Sequence, residues 1–377
     1  MKRFARLLTF TCAAFALYGC SLFTSDTKVK PAELTEFKAT DELAPLWRES
    51  IGKAGDFVFT PAVVDDSVYA AGENGKVARY DKGREVWTID VDQHLSGGVG
   101  SDGKIVAVGT SKGDVLAFDA ESGKPLWQAR VSSEVLAAPA IGEGLVVVRS
   151  GDSRIAGLDA RDGKRRWVYQ RATPALSLRT NVGLLVGQRV SVAGFPGGKL
   201  VAISNQNGAA IWEVAVAQPK GSTELERIAD LASSPVVDGR EICAAAFQGR
   251  VACFDIATGN QLWSRDVSSS AGIDMDKQRV YVSDDKGTVH AFARDSGASL
   301  WKQDKLFMRG LTRPIALGRR VAVADYKGVV HLLNAEDGNF TARATTDDSA
   351  VRADPQHYGD GFIVQTVDGG LFAFKLH

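Results

Sequence analysis

Short apolar runs alternate with polar turns along almost the whole chain. Residues 106–108 and 115–118 are apolar runs on either side of a polar turn, and residues 242–247 and 251–254 flank a Gln-Gly pair in the same way. Runs of this kind, bounded by glycine, asparagine and aspartate, predict antiparallel strands joined by tight turns. No segment keeps an apolar period of 3.6 residues over three helical turns, so the pattern predicts an all-β chain.

A longer unit of about 40 residues is repeated along the chain. It consists of an apolar residue, an Asp or Asn, a Gly four positions later and a Trp four positions after the Gly. The stretch FDAESGKPLW ends at Trp127, and FDIATGNQLW ends at Trp263. The first copy is one residue shorter, the last has Ala342 in place of Trp, and an isolated Trp47 precedes them all. All seven tryptophans occupy this slot: Trp47, Trp87, Trp127, Trp167, Trp212, Trp263 and Trp301.

The repeat predicts the blades of a β-propeller. Four-stranded units of about 40 residues with regularly placed aromatics are typical of propeller blades. The Trp is then expected on the outermost strand, where its large apolar body packs against the neighbouring blade. Residues 369–376 form a third strand without a Trp strand after it, whereas Trp47 has no strands before it. We therefore predict eight blades of four antiparallel strands over residues 41–377, with the N-terminal strand completing the last blade and closing the ring.

The first residues predict an export signal. Basic residues at the start precede an apolar run at 7–17, and Cys20 follows. A positive start and a short apolar run are typical of a signal peptide that is removed. The cysteine resembles that of a bacterial lipobox, with Tyr18 where a small residue is usual; an ordinary secretory signal with an incidental cysteine is the alternative. We predict a signal peptide over residues 1–19, and a lipidated Cys20 followed by a flexible tether over residues 20–40.

Composition narrows the possible functions. Lys+Arg and Asp+Glu both number 45. The chain therefore lacks the excess of basic residues that is typical of nucleic-acid-binding proteins. No apolar run reaches the ~18 residues of a membrane span. The chain is therefore predicted to be an exported protein that is held at a membrane only through its lipid.

The two cysteines that remain after lipidation lie on the two strands of one predicted hairpin. Export permits a disulfide between Cys243 and Cys253. A strict two-residue turn at 248–249 would place Cys243 opposite Phe254, so a direct bridge would need a bulge. Two small buried thiols are therefore the favoured interpretation, and a disulfide between them is the alternative.

The sequence contains no motif that predicts catalysis. Residues 98–103 match GxGxxG in form, but a strand follows them where a dinucleotide site needs a helix. His290 and His331 occupy the same slot of adjacent repeats, and we interpret them as strand packing without a carboxylate partner. The alternative functions are a PQQ- and calcium-dependent dehydrogenase, which a resemblance of the repeat to those of quinoprotein propellers implies, and a carbohydrate- or peptidoglycan-binding propeller. Both need free aromatic surfaces, and every Trp is already assigned between blades. We expect no enzyme activity, no cofactor and no metal.

Two insertions interrupt the regular spacing. Successive tryptophans are 40, 40, 40, 45, 51 and 38 positions apart, and the extra residues follow Trp167 and Trp212. Both insertions therefore lie in connections from an outer strand to the next inner strand, and such connections emerge side by side on one face. Repeat proteins place insertions where they bind. Neutral length drift is the alternative explanation.

The contents of the insertions indicate a protein partner. Leu176 and Leu178 are two apart in a segment predicted to be extended, so they should point the same way. Arg179 beside them offers a polar clamp. In the second insertion, residues 219–230 predict a short helix capped by a hydroxyl residue at 222–223.

The glycine-to-tryptophan repeat resembles the repeats of quinoprotein (PQQ-type) propellers. The chain length, the eight blades, the lipoprotein start and the segments LSLR and GSTELER resemble the BamB family, the outer-membrane protein assembly factors of Gram-negative envelopes. The resemblance implies a non-catalytic scaffold of the BAM machinery at the periplasmic face of the outer membrane. Ser21 after the cysteine is similar to the sorting signal for that membrane.

The resemblance also implies a partner and its contact residues. Leu176, Leu178, Arg179 and Asp230 correspond to family positions that contact the POTRA domains of BamA, the β-barrel insertase. A second acidic position of the family pattern is Ala232 here. Through BamA the family is joined to the other BAM lipoproteins. Nascent outer-membrane proteins are a second candidate partner class, through strand pairing at exposed blade edges, although no segment of the sequence distinguishes such an edge.

Overall fold

The computed structural model describes residues 29–376, so the predicted signal peptide and Cys20 lie outside the described residues. The compact unit that contains the propeller begins at Ala32. Over residues 29–376 the elements are strands, turns and irregular segments, and none is a helix that could cross a membrane. The predicted all-β class is confirmed.

The strands form eight four-stranded antiparallel sheets, and each sheet is one blade. Blades 1 and 2 consist of β2 (Ala62–Val64), β3 (Ser67–Ala71), β4 (Lys76–Asp81) and β5 (Arg84–Asp90), then β6 (Gly100–Ser101), β7 (Ile105–Gly109), β8 (Asp114–Asp119) and β9 (Pro125–Arg130). Blades 3 and 4 consist of β10 (Ala140–Gly142), β11 (Leu145–Arg149), β12 (Ile155–Asp159) and β13 (Arg165–Tyr169), then β14 (Leu184–Val186), β15 (Val190–Phe195), β16 (Lys199–Ser204) and β17 (Ala210–Ala215).

The remaining blades follow the same order from inner to outer strand. Blades 5 and 6 consist of β18 (Val236–Asp238), β19 (Glu241–Ala245), β20 (Val251–Asp255) and β21 (Gln261–Arg265), then β22 (Gly272–Met275), β23 (Arg279–Ser283), β24 (Val289–Ala293) and β25 (Ser299–Gln303). Blades 7 and 8 consist of β26 (Ile315–Leu317), β27 (Arg320–Ala324), β28 (Val329–Asn334) and β29 (Phe340–Thr345), then β30 (Gln356–Tyr358), β31 (Gly361–Gln365), β32 (Gly370–Leu376) and β1 (Leu43–Ser50).

The ring closes as predicted. β1 pairs antiparallel with β32, from Leu43 opposite Leu376 to Ser50 opposite Gly370. Blade 8 therefore contains strands from both ends of the chain. Closure of this kind removes the open ends that an array of sheets would otherwise expose. The eight-bladed propeller and its closure by the N-terminal strand are confirmed.

Each tryptophan joins its blade to the next one. The indole of Trp127, on the outer strand of blade 2, lies against Gly163 in the last turn of blade 3, where a Cβ atom would come within 2.5 Å of the ring. Gly163 has a φ of +71°, which glycine adopts without steric cost. The Trp127 Nε1–H donates to the Ala160 carbonyl at 2.9 Å. Six of the seven indoles donate an equivalent hydrogen bond to the next blade.

The two irregular joints have local causes. Trp47 packs against Gly83, but its N–H is buried without a partner, because the receiving turn of blade 1 is one residue shorter than the others. Ala342 takes the Trp position on blade 7 and faces blade 8. Blade 8 has no turn between its third and fourth strands, because these strands are the two ends of the chain. The position that lacks Trp is therefore the one that has no glycine turn to receive it.

The cysteine pair differs from the prediction. Cys243 and Cys253 are directly opposite each other on β19 and β20 and form a disulfide, with a Cα–Cα distance of 4.0 Å. The hairpin turn contains three residues rather than two, since Ala246 N donates to Arg250 O at 2.8 Å. One additional turn residue shifts the register by one position, which brings the two cysteines into a cross-strand pair. The favoured interpretation of two free thiols was wrong, and the alternative, a disulfide, is the one found.

The segment before β1 also differs from the predicted tether. The compact unit of the propeller begins at Ala32 rather than at Asp41. Leu34 and Phe37 pack against apolar side chains of blades 6 and 7, and Arg320 Nη2 donates to Asp41 at 2.7 Å. The part of the predicted tether that the structure describes from Ala32 onward is therefore packed against the blades.

Candidate partner-binding site

The two faces of the propeller carry different loops. One face, here called the connector face, holds the turns between second and third strands and the connections from blade to blade; Val131 N, in a connection, donates to Gly113 O, in such a turn, at 2.8 Å. The other face, here called the turn face, holds the remaining turns, and there Ala160 N donates to Gly144 O at 3.0 Å. Both insertions lie in blade-to-blade connections and are therefore on the connector face.

The first insertion connects β13, which ends at Tyr169, to β14, which begins at Leu184. Leu176 is 44% exposed, whereas Leu178 is half-buried. The segment predicted to be extended bends at 175–176, so the two leucines do not share one environment. Its backbone is held by the second insertion: Leu178 N donates to Asp230, and another backbone N–H donates to a serine hydroxyl at 3.0 Å.

The second insertion contains one capped turn in place of the predicted short helix. The turn spans residues 224–227. Thr223 Oγ1 accepts from Glu226 N at 3.2 Å, and the Glu226 carboxylate accepts from two backbone N–H groups at 2.7 and 3.1 Å. This reciprocal arrangement is a capping box, and its N–H groups lower the pKa of Glu226. The turn does not continue because Ala229 and Leu231 descend into the apolar core between blades 4 and 5.

Asp230 joins the two insertions from beneath the surface. It is only 2% exposed. Its carboxylate accepts from Leu178 N at 2.7 Å and from Gly197 N at 2.9 Å, and its carbonyl accepts from Phe247 N at 2.8 Å. Moving the Asp230 carboxylate away would leave its buried charge and two backbone N–H groups without partners, which costs free energy of folding. Asp230 therefore fixes the two loops from beneath the surface.

A buried arginine supplies the positive charge near this carboxylate. The Arg149 guanidinium lies 5.2 Å from the centre of the Phe195 ring and donates to the Gly194 carbonyl. Burial lowers the pKa of Arg149 to about 10, and the negative charge of Asp230 opposes that shift. Arg171, in the first insertion, lies 5.7 Å from the same ring. Two cations and one aromatic ring thus support the base of the first insertion.

Above this layer the insertions present an exposed surface. Leu225 is 67% exposed and Leu176 is 44% exposed. The Arg179 side chain is 63% exposed, and its Nε lies 3.6 Å from Glu134. An exposed ion pair contributes roughly 0–1 kcal/mol to stability, so Arg179 is free to exchange this contact for one with a partner. Leu176, Arg179 and Leu225 are called the insertion surface below.

The predicted contact residues are neighbours, but they lie at different depths. Leu176 and Arg179 are exposed, Leu178 is half-buried and Asp230 is buried. Sequence reasoning did not find Arg149. Its signal was an arginine at the end of the apolar strand LVVVR, because a charge in such a run needs a buried partner.

Two histidines outside this site have carboxylate partners. His290 Nε2 lies 2.9 Å from Asp284, and the fully buried His331 Nε2 lies 3.1 Å from Asp325. The expectation that no carboxylate accompanies them was wrong, because each Asp follows the second strand of its blade and reaches across the hairpin turn to the third. Within residues 29–376, no three His, Cys, Asp or Glu side chains are grouped so that they could hold a metal ion.

The central channel contains a polar cluster of one arginine and two aspartates. Arg313 lies 3.3 Å from Asp274 and 3.9 Å from Asp354. Burial raises the pKa of Asp354, and Arg313 opposes that rise. Asp274 also accepts from Ala316 N at 2.8 Å. These charges are balanced by each other and by the backbone, so the cluster ties the inner ends of blades 6, 7 and 8 together.

Comparison with known proteins identifies relatives along the whole propeller. The family model described as outer membrane protein assembly factor BamB matches residues 73–303. A protein of that name from Bordetella pertussis is 43% identical over 366 residues, which cover 96% of this chain and 95% of the relative.

Solved structures agree with this relationship. The crystal structure of BamB from Moraxella catarrhalis has a TM-score of 0.83 at 29% identity and covers 89% of this chain and 100% of that chain. A quinohemoprotein alcohol dehydrogenase from Comamonas testosteroni, with a TM-score of 0.72 at 13% identity over 88% of this chain and 76% of that chain, shares only the fold. Since the family model spans more than half of the sequence and the relatives cover nearly all of it, the chain belongs to the BamB family of outer membrane protein assembly factors.

Proposed function

We propose that this propeller assists the assembly of outer-membrane proteins as a non-catalytic scaffold that presents two loops to a protein partner. The family supplies the assembly role. The observation that carries the scaffold mechanism is the buried Asp230 carboxylate, which holds the first insertion against its neighbour through Leu178 and Gly197. Loops held in one arrangement lose less conformational entropy on binding, so more of the contact energy appears as affinity.

The partner is BamA, which is bound through its POTRA domains at the insertion surface. Leu176 and Leu225 offer apolar side chains that a partner would remove from water. Arg179 offers a guanidinium that matches a carboxylate in a bidentate pair. Leu178 and Asp230 act from below by fixing the backbone that carries the exposed residues. The other BAM lipoproteins are joined through BamA rather than through this surface.

A lipid on Cys20 holds the propeller at the periplasmic face of the outer membrane. The support for this step is the signal-like start of the sequence. Radiolabelled palmitate should enter the wild-type protein and be absent from a Cys20→Ser variant. Equal labelling of the two proteins would contradict the anchor.

Co-purification from solubilised envelopes tests the partner. Arg179→Ala and Leu176→Ala should each lower the recovery of BamA about tenfold, since central interface residues contribute 1–2 kcal/mol or more. The matched controls are Arg189→Ala on the turn face and Leu262→Ala on an outer strand, both exposed, and they should retain BamA. If the insertion variants are folded and recover BamA fully, the insertion surface is not the contact, and the insertions are explained by length drift.

A further inference from the structure

Residues 32–41, here called the strap, run along the outer side of blade 7 from one face of the propeller to the other. At the first end, Ala32 N donates at 2.9 Å to the carbonyl of Phe307, which lies in the connection between blades 6 and 7 on the connector face. At the other end, Thr40 N donates at 2.9 Å to the carbonyl of Thr341 at the start of β29, on the turn face.

The middle of the strap is packed as well as its ends. The Phe37 ring lies 5.4 Å from the Phe340 ring. The Arg343 guanidinium lies 4.9 Å from Phe37 and 5.3 Å from Phe340, so one cation contacts both rings. Arg343 also donates to the Thr35 carbonyl at 3.3 Å. Together with Leu34, these contacts bury the apolar side of the strap in the groove between blades 6 and 7.

The strap distinguishes blade 7 from the other blades. The residue before the tryptophan slot is exposed on most outer strands, for example 48% at Leu126, 48% at Leu262 and 49% at Leu300. The equivalent residue of blade 7 is Thr341, which is 4% exposed. The covered edge is thus specific to the strand on which the strap lies.

The route of the strap decides where the N-terminal chain leaves the propeller. β1 begins at Leu43, opposite Leu376, and this end of the strand is on the turn face. The strap carries the chain from there to Ala32 on the connector face, the face that bears both insertions. Cys20 precedes Ala32 by 12 positions and Leu43 by 23. At about 3.5 Å per residue, docking shortens the maximum reach of an anchor at Cys20 from about 80 Å to about 40 Å.

The surface beside Ala32 has the composition of a membrane-facing patch. Phe307 is 40% exposed, Met308 41% and Tyr326 38%. These apolar and aromatic residues, here called the landing patch, are flanked by three exposed lysines: Lys286, Lys305 and Lys327. The exposed acids around the patch are Asp304 in the same connection, Asp285 beside Lys286 and Glu33 beside Ala32. Aromatic side chains favour the interfacial region of a bilayer, and lysines are attracted to anionic headgroups.

We propose that the strap turns the connector face toward a lipid surface, and that the landing patch contacts anionic phospholipid there. The inference rests on the lipid anchor at Cys20 that is part of the proposed function. The occupant of the patch is the bilayer that holds the anchor, because the docked strap keeps that bilayer within about 40 Å of the patch. The insertion surface, on the same face, is thereby presented on the side nearest the membrane.

Amide exchange in the full-length Cys20→Ser protein tests the docking. The amides of Ala32 and Thr40 should be protected, and Phe37→Ala should speed their exchange at least about tenfold by opening the strap locally. The matched control is Lys38→Ala, since Lys38 is exposed in the same segment, and it should leave exchange unchanged. Fast exchange of these amides in the otherwise unaltered protein would overturn the strap.

Energy transfer from the lipidated full chain to an acceptor lipid tests the orientation, in vesicles of phosphatidylethanolamine and phosphatidylglycerol. Donor dyes are placed on Asp304→Cys, on the connector face, or on Glu336→Cys, on the turn face of blade 7, while the two internal cysteines remain bridged. Transfer should be stronger from position 304 than from position 336. Phe37→Ala should reduce this difference at least twofold, and Lys38→Ala should preserve it.

The landing patch is tested in the same vesicles. A Phe307→Ser and Met308→Ser double variant should bring the two transfer efficiencies closer together, whereas Val86→Ser and Leu126→Ser on outer strands, both exposed, should not. Equal transfer from both faces in the wild-type background, with the lipid shown by mass spectrometry to be attached, would overturn the proposal. Absence of the lipid itself would instead contradict the anchor of the proposed function.

Discussion

The joint between blades 2 and 3 and the insertion site at blades 3 to 5 both hold neighbouring blades together, but by different chemistry. At the joint, Trp127 buries its ring against Gly163 and donates one hydrogen bond. At the insertion site, the Asp230 carboxylate accepts from Leu178 and Gly197 beside the buried Arg149. The apolar joint is suited to repetition because it needs only shape and area. The charged site fixes one arrangement of two particular loops, which is what a binding surface requires.

The largest effect is expected from opening the ring. Removing residues 372–377 takes away most of β32, including the buried Phe372 and Phe374, and with it the pairing to β1. Blades 7 and 1 would then no longer be joined through an intact blade 8. We therefore expect the single cooperative thermal transition to be lost. Calorimetry measures this directly, and a protein lacking only His377 is the control. An unchanged cooperative transition in the truncated protein would contradict closure through β1.

Disrupting a single blade joint should destabilise the protein less than opening the ring does, but more than replacing a loop residue does. Trp127→Ala removes a ring packed against Gly163 and should lower the free energy of unfolding by ~3–5 kcal/mol. Leu126→Ala, at the neighbouring and 48% exposed position, should cost under about 1 kcal/mol. Denaturant titration measures the free energy of unfolding of both variants and compares their losses. Similar losses for both would show that the indole is not the anchor of the joint.

The insertion site should lose both stability and binding when its carboxylate is removed. Asp230→Ala leaves the amides of Leu178 and Gly197 without their acceptor and Arg149 without its counter-charge. We expect a loss of ~2–3 kcal/mol, faster amide exchange at Leu178 and weaker recovery of BamA. Arg179→Ala should weaken BamA recovery while changing stability by less than about 0.5 kcal/mol. Unchanged exchange at Leu178 in Asp230→Ala would show that the carboxylate does not position the loop.

The joint between blades 7 and 8 lacks Trp, and a buried polar cluster lies beside it on blade 7. His331 Nε2 faces Asp325, which Arg309 also contacts at 2.6 Å, and Arg343 Nε donates to His331 Nδ1 at 3.2 Å. Burial lowers the pKa of His331, and the charges of Arg343 and Arg309 add to that effect while Asp325 opposes it. The unfolded chain therefore takes up this proton at a higher pH than the folded chain does.

Stability should consequently fall as the pH drops below about 6.5, by at most ~1.4 kcal/mol per pH unit from this group. His331→Gln should flatten this part of the curve of unfolding free energy against pH. His290→Gln, which alters the partly exposed histidine of blade 6, should leave this pH dependence of the unfolding free energy unchanged. The same slope in wild type and His331→Gln would show that another group carries the dependence.

Some features could be predicted from the sequence because they depend on spacing alone. The blades, their outer Trp strands and the closing N-terminal strand follow from a repeat whose copies pack against one another in the same way. The positions of the two insertions follow from the same spacing. Even the missing Trp at Ala342 has a cause that is visible in the strand order, because the turn that would receive it is replaced by the chain ends.

Other features were decided only by the tertiary structure, since they depend on which distant residues meet. Asp230 and Leu178 are 52 positions apart, and no local pattern shows that the acid lies under the loop rather than on its rim. The disulfide depended on one additional residue in a turn, which shifts the whole register by one position. The strap looked like a tether because it has no strand period; its order comes from Phe340 and Arg343, some 300 residues away along the chain. Periodicity describes how a segment packs with its own repeats, whereas burial, charge pairing and docking depend on the partner that the folded ring brings to it.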